Sequence, residues 1–120
     1  MKILVVDDFS TMRRIVRNLL VELGFSNPLI QEADDGNNAL TMLRASSFDM
    51  VVTDWNMPNM TGMQLLEALA ADGIKLTFGF ITTEATPDMR AKAMGAGAKF
   101  LISKPFTPES FQEQLGAHIR

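Results

Sequence analysis

Ile3-Leu4-Val5-Val6-Asp7-Asp8 is an apolar run of strand length that stops at two adjacent carboxylates, and Met50-Val51-Val52-Thr53-Asp54 repeats the arrangement with one acid. Both runs are almost purely apolar, as strands buried on both sides of a parallel sheet are. Carboxylates repel one another, and strand ends that point two or three of them into one space need a cation to hold them there. The acids are therefore a candidate divalent-metal site built from positions far apart in sequence, on condition that the two strand ends meet.

Outward from these runs, strand-length apolar segments alternate with amphipathic helical stretches five times. Further strands are expected near residues 29–32, 76–81 and 100–102, with the first at 2–6 and the third at 50–53. Ser10 is the expected N-cap of the first helix, which carries Met12, Ile15, Val16, Leu19, Leu20 and Leu23 at helical spacing and stops at Gly24. The second helix carries Ala39, Leu40, Met42 and Leu43, and the third Met63, Leu65, Leu66 and Leu69. Thr86-Pro87 and Thr107-Pro108 open the fourth and fifth, each with proline at the first helical position, and Phe111, Leu115 and Ile119 form the stripe of the last. Five such units predict an α/β fold: a doubly wound, five-stranded parallel sheet with five helices on two faces. Gly79, inside the fourth strand, either weakens it or permits close packing.

Composition narrows the function. The chain has 120 residues, enough for one domain with its own core. It has no cysteine and one histidine, His118, expected at the solvent, so disulfides are excluded and zinc is disfavoured. A net charge of −3 gives no reason to expect nucleic-acid binding, and Arg13, Arg14 and Arg17 read as a solvated helix face. No apolar stretch is long enough to cross a bilayer and no signal-peptide pattern opens the chain, so a cytoplasmic protein without a membrane partner is expected. The nine methionines read as adaptable core filling, with Met57, Met60 and Met63 flanking Asp54 and covering its loop.

In a parallel sheet all carboxyl ends share one edge. Asp7-Asp8, Asp54, Thr82-Thr83 and Ser103-Lys104-Pro105 follow the first, third, fourth and fifth strands. Taken singly each has a plain structural reading, such as Asp8 capping the first helix. Together they suit phosphoryl chemistry: a carboxylate nucleophile, acids for Mg²⁺, an ammonium against phosphate oxygens and a hydroxyl to donate to one of them.

Residues 4–14 (LVVDDFSTMRR), 53–60 (TDWNMPNM) and 104–107 (KPFT) resemble the receiver domains of bacterial response regulators, CheY-like chemotaxis regulators most closely, over essentially the whole chain. The resemblance implies a single receiver domain over 1–120 with strand order 2-1-3-4-5. It implies a signalling switch, not an enzyme in the ordinary sense, that catalyses only its own phosphorylation and dephosphorylation. Asp54 is then the phosphoacceptor. Asp8, Asp54 and the backbone carbonyl of Asn56 hold Mg²⁺, with Asp7 supporting it through water. Lys104 pairs with the acceptor, Thr82 rather than Thr83 is the mobile hydroxyl, and Asn56 and Glu84 control hydrolytic water. Lys104-Pro105 is expected to be cis. Thr82, Leu101 and Phe106 are switch or output candidates. Trp55 is either a half-exposed, metal-sensing lid or an ordinary loop aromatic. Partners implied are a chemotaxis histidine kinase, the flagellar motor switch and a phosphatase, met as a monomer through helix four, strand five and helix five.

The chain also departs from that pattern. It has no tyrosine, and Leu101 stands where the family's switch aromatic would be, with Phe100 facing the other way. Gln114 and Ala117 replace lysines of the last helix, Arg90 and Met94 replace smaller or apolar residues of the fourth, and the approach to the second strand is about two residues longer. These departures raise a non-motor output or phosphate-sink role. Two further classes fit these residues less well. A haloacid-dehalogenase-like phosphohydrolase would have a second Asp where Asn56 stands, and a flavodoxin-like cofactor binder would have a phosphate-cradling loop where Asp7-Asp8-Phe9 stands.

Overall fold

The computed structural model describes residues 1–116. Five strands, β1 (Ile3–Val6), β2 (Ile30–Ala33), β3 (Met50–Asp54), β4 (Thr77–Thr82) and β5 (Phe100–Ser103), form one parallel sheet in the order 2-1-3-4-5. Five helices alternate with them: α1 (Ser10–Glu22), α2 (Gly36–Ala45), α3 (Gly62–Ala71), α4 (Pro87–Gly95) and α5 (Pro108–Gly116). The expected doubly wound fold is the observed one. Each strand begins or ends within a residue or so of expectation; Leu29 falls instead in a 3₁₀ turn, Asn27–Leu29, that leads into β2.

The strands are apolar throughout because both sheet faces are covered, and side-chain alternation sorts them into two cores. Ile3, Val5, Met50, Val52, Ile81, Phe100 and Ile102 pack under α1 and α5, against Val16, Leu20, Phe111 and Leu115. Leu4, Val6, Val51, Phe78, Phe80 and Leu101 pack under α2, α3 and α4, against Ala39, Leu43, Leu65, Leu69 and Ala93. Phe100 and Leu101 thus face opposite ways, as expected. Gly79 is explained by its neighbour across the ladder. It pairs with Phe100, and a Cβ at position 79 would lie 2.0 Å from that ring. Close packing, not a weak strand, is the reason for the glycine.

Several local expectations are corrected. Ser10 is the first helical residue, not the N-cap; Phe9 holds the cap position, with no side-chain cap. Asp8 does not cap α1 either: it is the Asp7 carboxylate that accepts the Phe9 N–H, at 2.9 Å. Ile15 is 41% exposed, because it lies about 100° round the helix from Val16 and falls outside the stripe. Gly24 does end α1, at φ 100°, with the Phe25 N–H bonded to the Leu20 carbonyl and its own N–H to Val21. Thr86 caps α4, accepting the Met89 N–H, and Pro87 follows it as predicted. Ala117, His118 and Ile119 lie outside the described residues.

Candidate functional site

β1 and β3 are hydrogen-bonded neighbours with Val6 opposite Thr53, so their next residues, Asp7 and Asp54, emerge side by side at the carboxyl edge. β2 and β4 flank them, and the order reverses direction here, which is where open α/β sheets bind ligands. The carboxylates of Asp7, Asp8 and Asp54 offer oxygens within 4.8 Å of one another. Asp7 is buried, Asp54 half-buried and Asp8 exposed at the mouth.

Lys104 reaches the cluster from the far side of β4. Its backbone N–H bonds to the Thr82 carbonyl at 2.7 Å, and the Lys104–Pro105 peptide is cis. Its Nζ lies 3.6 Å from Asp7 Oδ2 and 3.5 Å from Asp54 Oδ1. Three carboxylates against one ammonium leave two negative charges, a match for one divalent cation. Burial pushes the Asp7 carboxyl above its ordinary range; the Phe9 N–H and Lys104 pull the other way, while Asp54 and Asp8 add to the rise. Burial likewise raises Asp54, against the pull of Lys104. The metal-free site is thus strained electrostatically, in the direction that binding a cation relieves.

Thr82, the last residue of β4, is fully buried, and its Oγ1 accepts the Glu84 N–H at 3.2 Å, leaving its own proton to donate. Thr83 is exposed, as are Glu84 and Asn56 at the rim. Leu101 is buried on the α4 side, the side Thr82 also faces, and its carbonyl accepts from Arg90 at 3.3 Å. Phe106 belongs to the other core, its ring 5.3 Å from Phe111. The structure therefore does not bring Phe106 and Leu101 into one cluster.

The loop after Asp54 runs inward. Trp55 is only 9% exposed, its ring 4.7 Å from Phe80, so it is a core aromatic and not a half-exposed lid. Met57 and Met63 are buried in the same core and Met60 packs on it, over Gly36, so these side chains support the loop from within instead of covering it. Gly62 is a residue that sequence reasoning passed over. Its N–H bonds to the Trp55 carbonyl at 2.8 Å, and a Cβ there would sit 2.4 Å from the Asp54 carbonyl. The absence of a side chain lets α3 start directly beneath the acceptor.

The basic cluster on α1 also differs from expectation. Arg13 and Arg17 both pair with Glu32 at 2.9 Å, so only Arg14 is a solvated charge. The signal was available: two arginines four apart share a helix face, and an acid stands on the adjoining strand.

The response regulator receiver domain family model matches residues 3–116. The chain belongs to the response regulator receiver family. This receiver is 52% identical over 117 residues to the chemotaxis protein CheY of Pseudomonas aeruginosa, covering 96% of this chain and 93% of that protein. It is 55% identical to chemotaxis protein CheY-3 of Vibrio cholerae, covering 96% and 88%. Among solved structures it resembles the chemotaxis response regulator CheY4 of Vibrio cholerae (TM-score 0.85, 30% identity, 97% and 96% covered). It also resembles a structure titled FixJ-N (TM-score 0.83, 27% identity, 99% and 95% covered). Receivers of this family are regulators that bind Mg²⁺ at an acidic pocket, and Asp7, Asp8 and Asp54 of this receiver form an acidic cluster that could hold a metal ion. No described helix is long and apolar enough to cross a membrane.

Proposed function

We propose that this receiver is a phosphorylation-activated switch, with Asp54 as phosphoacceptor, in a chemotaxis two-component pathway of the cytoplasm. The observation that carries the reading is the convergence of Asp7, Asp8 and Asp54 on one space within reach of Lys104. Asp8, Asp54 and the Asn56 carbonyl would hold Mg²⁺, with Asp7 behind them. The donor set fits: hard oxygens, few in number, with one side of the site open. When bound, the ion supplies charge neutralisation for the acids and for an incoming phosphoryl group.

Each side chain has a definite task. The Asp54 carboxylate attacks phosphorus while the bond to the kinase's phosphohistidine nitrogen breaks, so the imidazole leaves and an acyl phosphate remains. Lys104, already 3.5 Å from Asp54, holds a phosphoryl oxygen. Thr82 exchanges its contact with Glu84 for a hydrogen bond to another. In the separate dephosphorylation step water attacks phosphorus, the Asp54–phosphorus bond breaks, and the Asp54 carboxylate and inorganic phosphate are released; exposed Asn56 and Glu84 set the water's access. Turnover of this kind is self-limited, and a separate phosphatase partner fits it.

Output follows from population shift: a phosphoryl group biases the fold only by contacting one state better than the other. Thr82 and Leu101 share the face covered by α4, so withdrawal of Thr82 toward the phosphate repacks that side. The surface it alters is a recess among Arg90, Met94, Leu101, Glu113 and Gln114. The resemblance to CheY proteins makes the flagellar motor switch the partner of this reading, met by a monomeric receiver spanning 1–120. A second reading, non-motor output or a phosphate sink, is favoured by Leu101 in the aromatic's place and by Gln114. Phosphotransfer from a phosphorylated chemotaxis kinase to wild type but not to Asp54→Asn tests the first claim; transfer undiminished in the variant defeats it. Binding of an N-terminal motor-switch peptide with and without a beryllofluoride mimic separates the outputs. A rise in affinity with the mimic supports the motor, and equal affinity in both states supports the alternative.

A further inference from the structure

We propose that Arg13 is a positioning residue for the acid cluster, with Glu32 as its anchor, acting through the peptide that joins Asp7 to Asp8. The inference rests on the reading of the acids as a Mg²⁺ site. Arg13 stands in the first turn of α1. Its Nη1 donates to the Asp7 carbonyl at 2.6 Å, and its Nε donates to Glu32 Oε1 on β2 at 2.9 Å. Glu32 is itself held: its second oxygen accepts from Arg17 Nε at 2.9 Å, and Arg17 Nη1 bonds the Asn27 carbonyl and side-chain oxygen at 3.1 and 2.9 Å. Burial works against the Glu32 carboxylate, but the bonds from Arg17 and Arg13 outweigh it and hold it below its ordinary range.

The Asp7 carbonyl is the consequential contact. It lies just past β1, the last strand residue being Val6, and belongs to the peptide plane that fixes the direction of Asp8 relative to Asp7. Asp8 is exposed and caps nothing, so the orientation of that plane is what aims it. A planar guanidinium tied at two nitrogens to two different elements has little freedom left, and a lysine cannot copy it. The brace runs from Glu32 on β2 through Arg13 to the acid pair.

The sign of the effect separates this role from electrostatics. Removing a cation beside a dication site would, by charge alone, tighten Mg²⁺ binding. Loss of positioning weakens it. Calorimetric Mg²⁺ titration, with urea unfolding in parallel, is run on wild type, Arg13→Ala, Arg13→Lys, Glu32→Gln, Arg17→Ala and Asp8→Asn. We expect Arg13→Ala to bind Mg²⁺ about tenfold more weakly, the low end for outer-shell partners. Arg13→Lys should not restore affinity, and Glu32→Gln should lose part of it. Arg17→Ala, which leaves the Asp7 bond intact, should lose stability but not affinity. Should Arg13→Ala fail to fold, Arg13→Lys carries the comparison, since it keeps the charge and loses the brace: weaker binding supports positioning and unchanged binding opposes it. Unchanged or tighter binding in the Arg13 variants, with Asp8→Asn abolishing binding, overturns the positioning role alone. Wild-type affinity in Asp8→Asn overturns the metal-site reading and this inference with it.

Discussion

Replacing Asp7 with asparagine should stabilise the metal-free protein and destroy its response to Mg²⁺. Asparagine keeps the shape and an oxygen to accept the Phe9 N–H, so the change isolates the charge. At an effective dielectric of about 20, Lys104 at 3.6 Å favours the Asp7 carboxylate by roughly 4–5 kcal/mol. Asp54, no more than 4.8 Å away, opposes it by roughly 3–4 kcal/mol, and exposed Asp8 adds a smaller, screened repulsion. The charge interactions nearly cancel, so burial decides, and Asp7 is 4% exposed. Its raised pKa has the same direction. Asp7→Asn should therefore gain about 1–2 kcal/mol in EDTA, or roughly 4–10 °C in Tm for a domain of this size. With Mg²⁺ at about 100 times its Kd, wild type should gain about 2.7 kcal/mol and the variant much less. Urea unfolding in EDTA and in saturating Mg²⁺ reads both. The order of stability should reverse between the two conditions; a variant weaker than wild type in EDTA would mean that Lys104 outweighs burial and repulsion, against this reasoning.

Gly79→Ala should cost about 1–3 kcal/mol by overpacking, since its Cβ meets the Phe100 ring. Phe100→Leu should recover part of that loss in a double-mutant cycle, and additive losses would contradict the pairing. Gly62→Ala puts a Cβ against the Asp54 carbonyl, so it should slow phosphorylation by acetyl phosphate at saturating Mg²⁺ as well as lower stability; a loss of stability alone would show that the acceptor does not depend on this close approach. Stability against pH carries opposite signs at different acids. Asp7 and Asp54 have folded pKa values above the unfolded 3.8, so between those limits the native state binds more protons and stability falls as pH rises. Glu32 is lowered from 4.5, so its contribution is present above that value and is lost as pH falls through the folded one. In EDTA, wild type should gain stability as pH drops from neutral toward the mid-acid range, and Asp7→Asn should flatten that gain.

The sheet, its helices and the converging acids were legible because their signals are local and strong. A parallel strand buried on both faces has little choice but to be apolar, and acids at its end are conspicuous. Strand order was not in the periodicity and came with the family resemblance. What escaped was contact made across the fold. Gly79 showed only that something might approach; Phe100, 21 positions away, is what does. The methionines near Asp54 looked like a cover, and Trp55 like either a lid or an ordinary loop aromatic, because loops are usually exposed, but this loop turns under the sheet edge to reach Phe80. Ser10 looked like a cap by residue type, yet the helix opens one residue earlier, with the Arg13 N–H on the Phe9 carbonyl at 3.1 Å. The arginines of α1 read as solvated because their partner, Glu32, lies on another element.

The most direct test is where a phosphoryl group attaches. Wild type incubated with acetyl phosphate, with Mg²⁺ or with EDTA, can be measured by intact mass and mapped by peptide. One phosphoryl group on Asp54, formed only with Mg²⁺, is the predicted result; labelling that ignores the metal, or that lands on another residue, contradicts it.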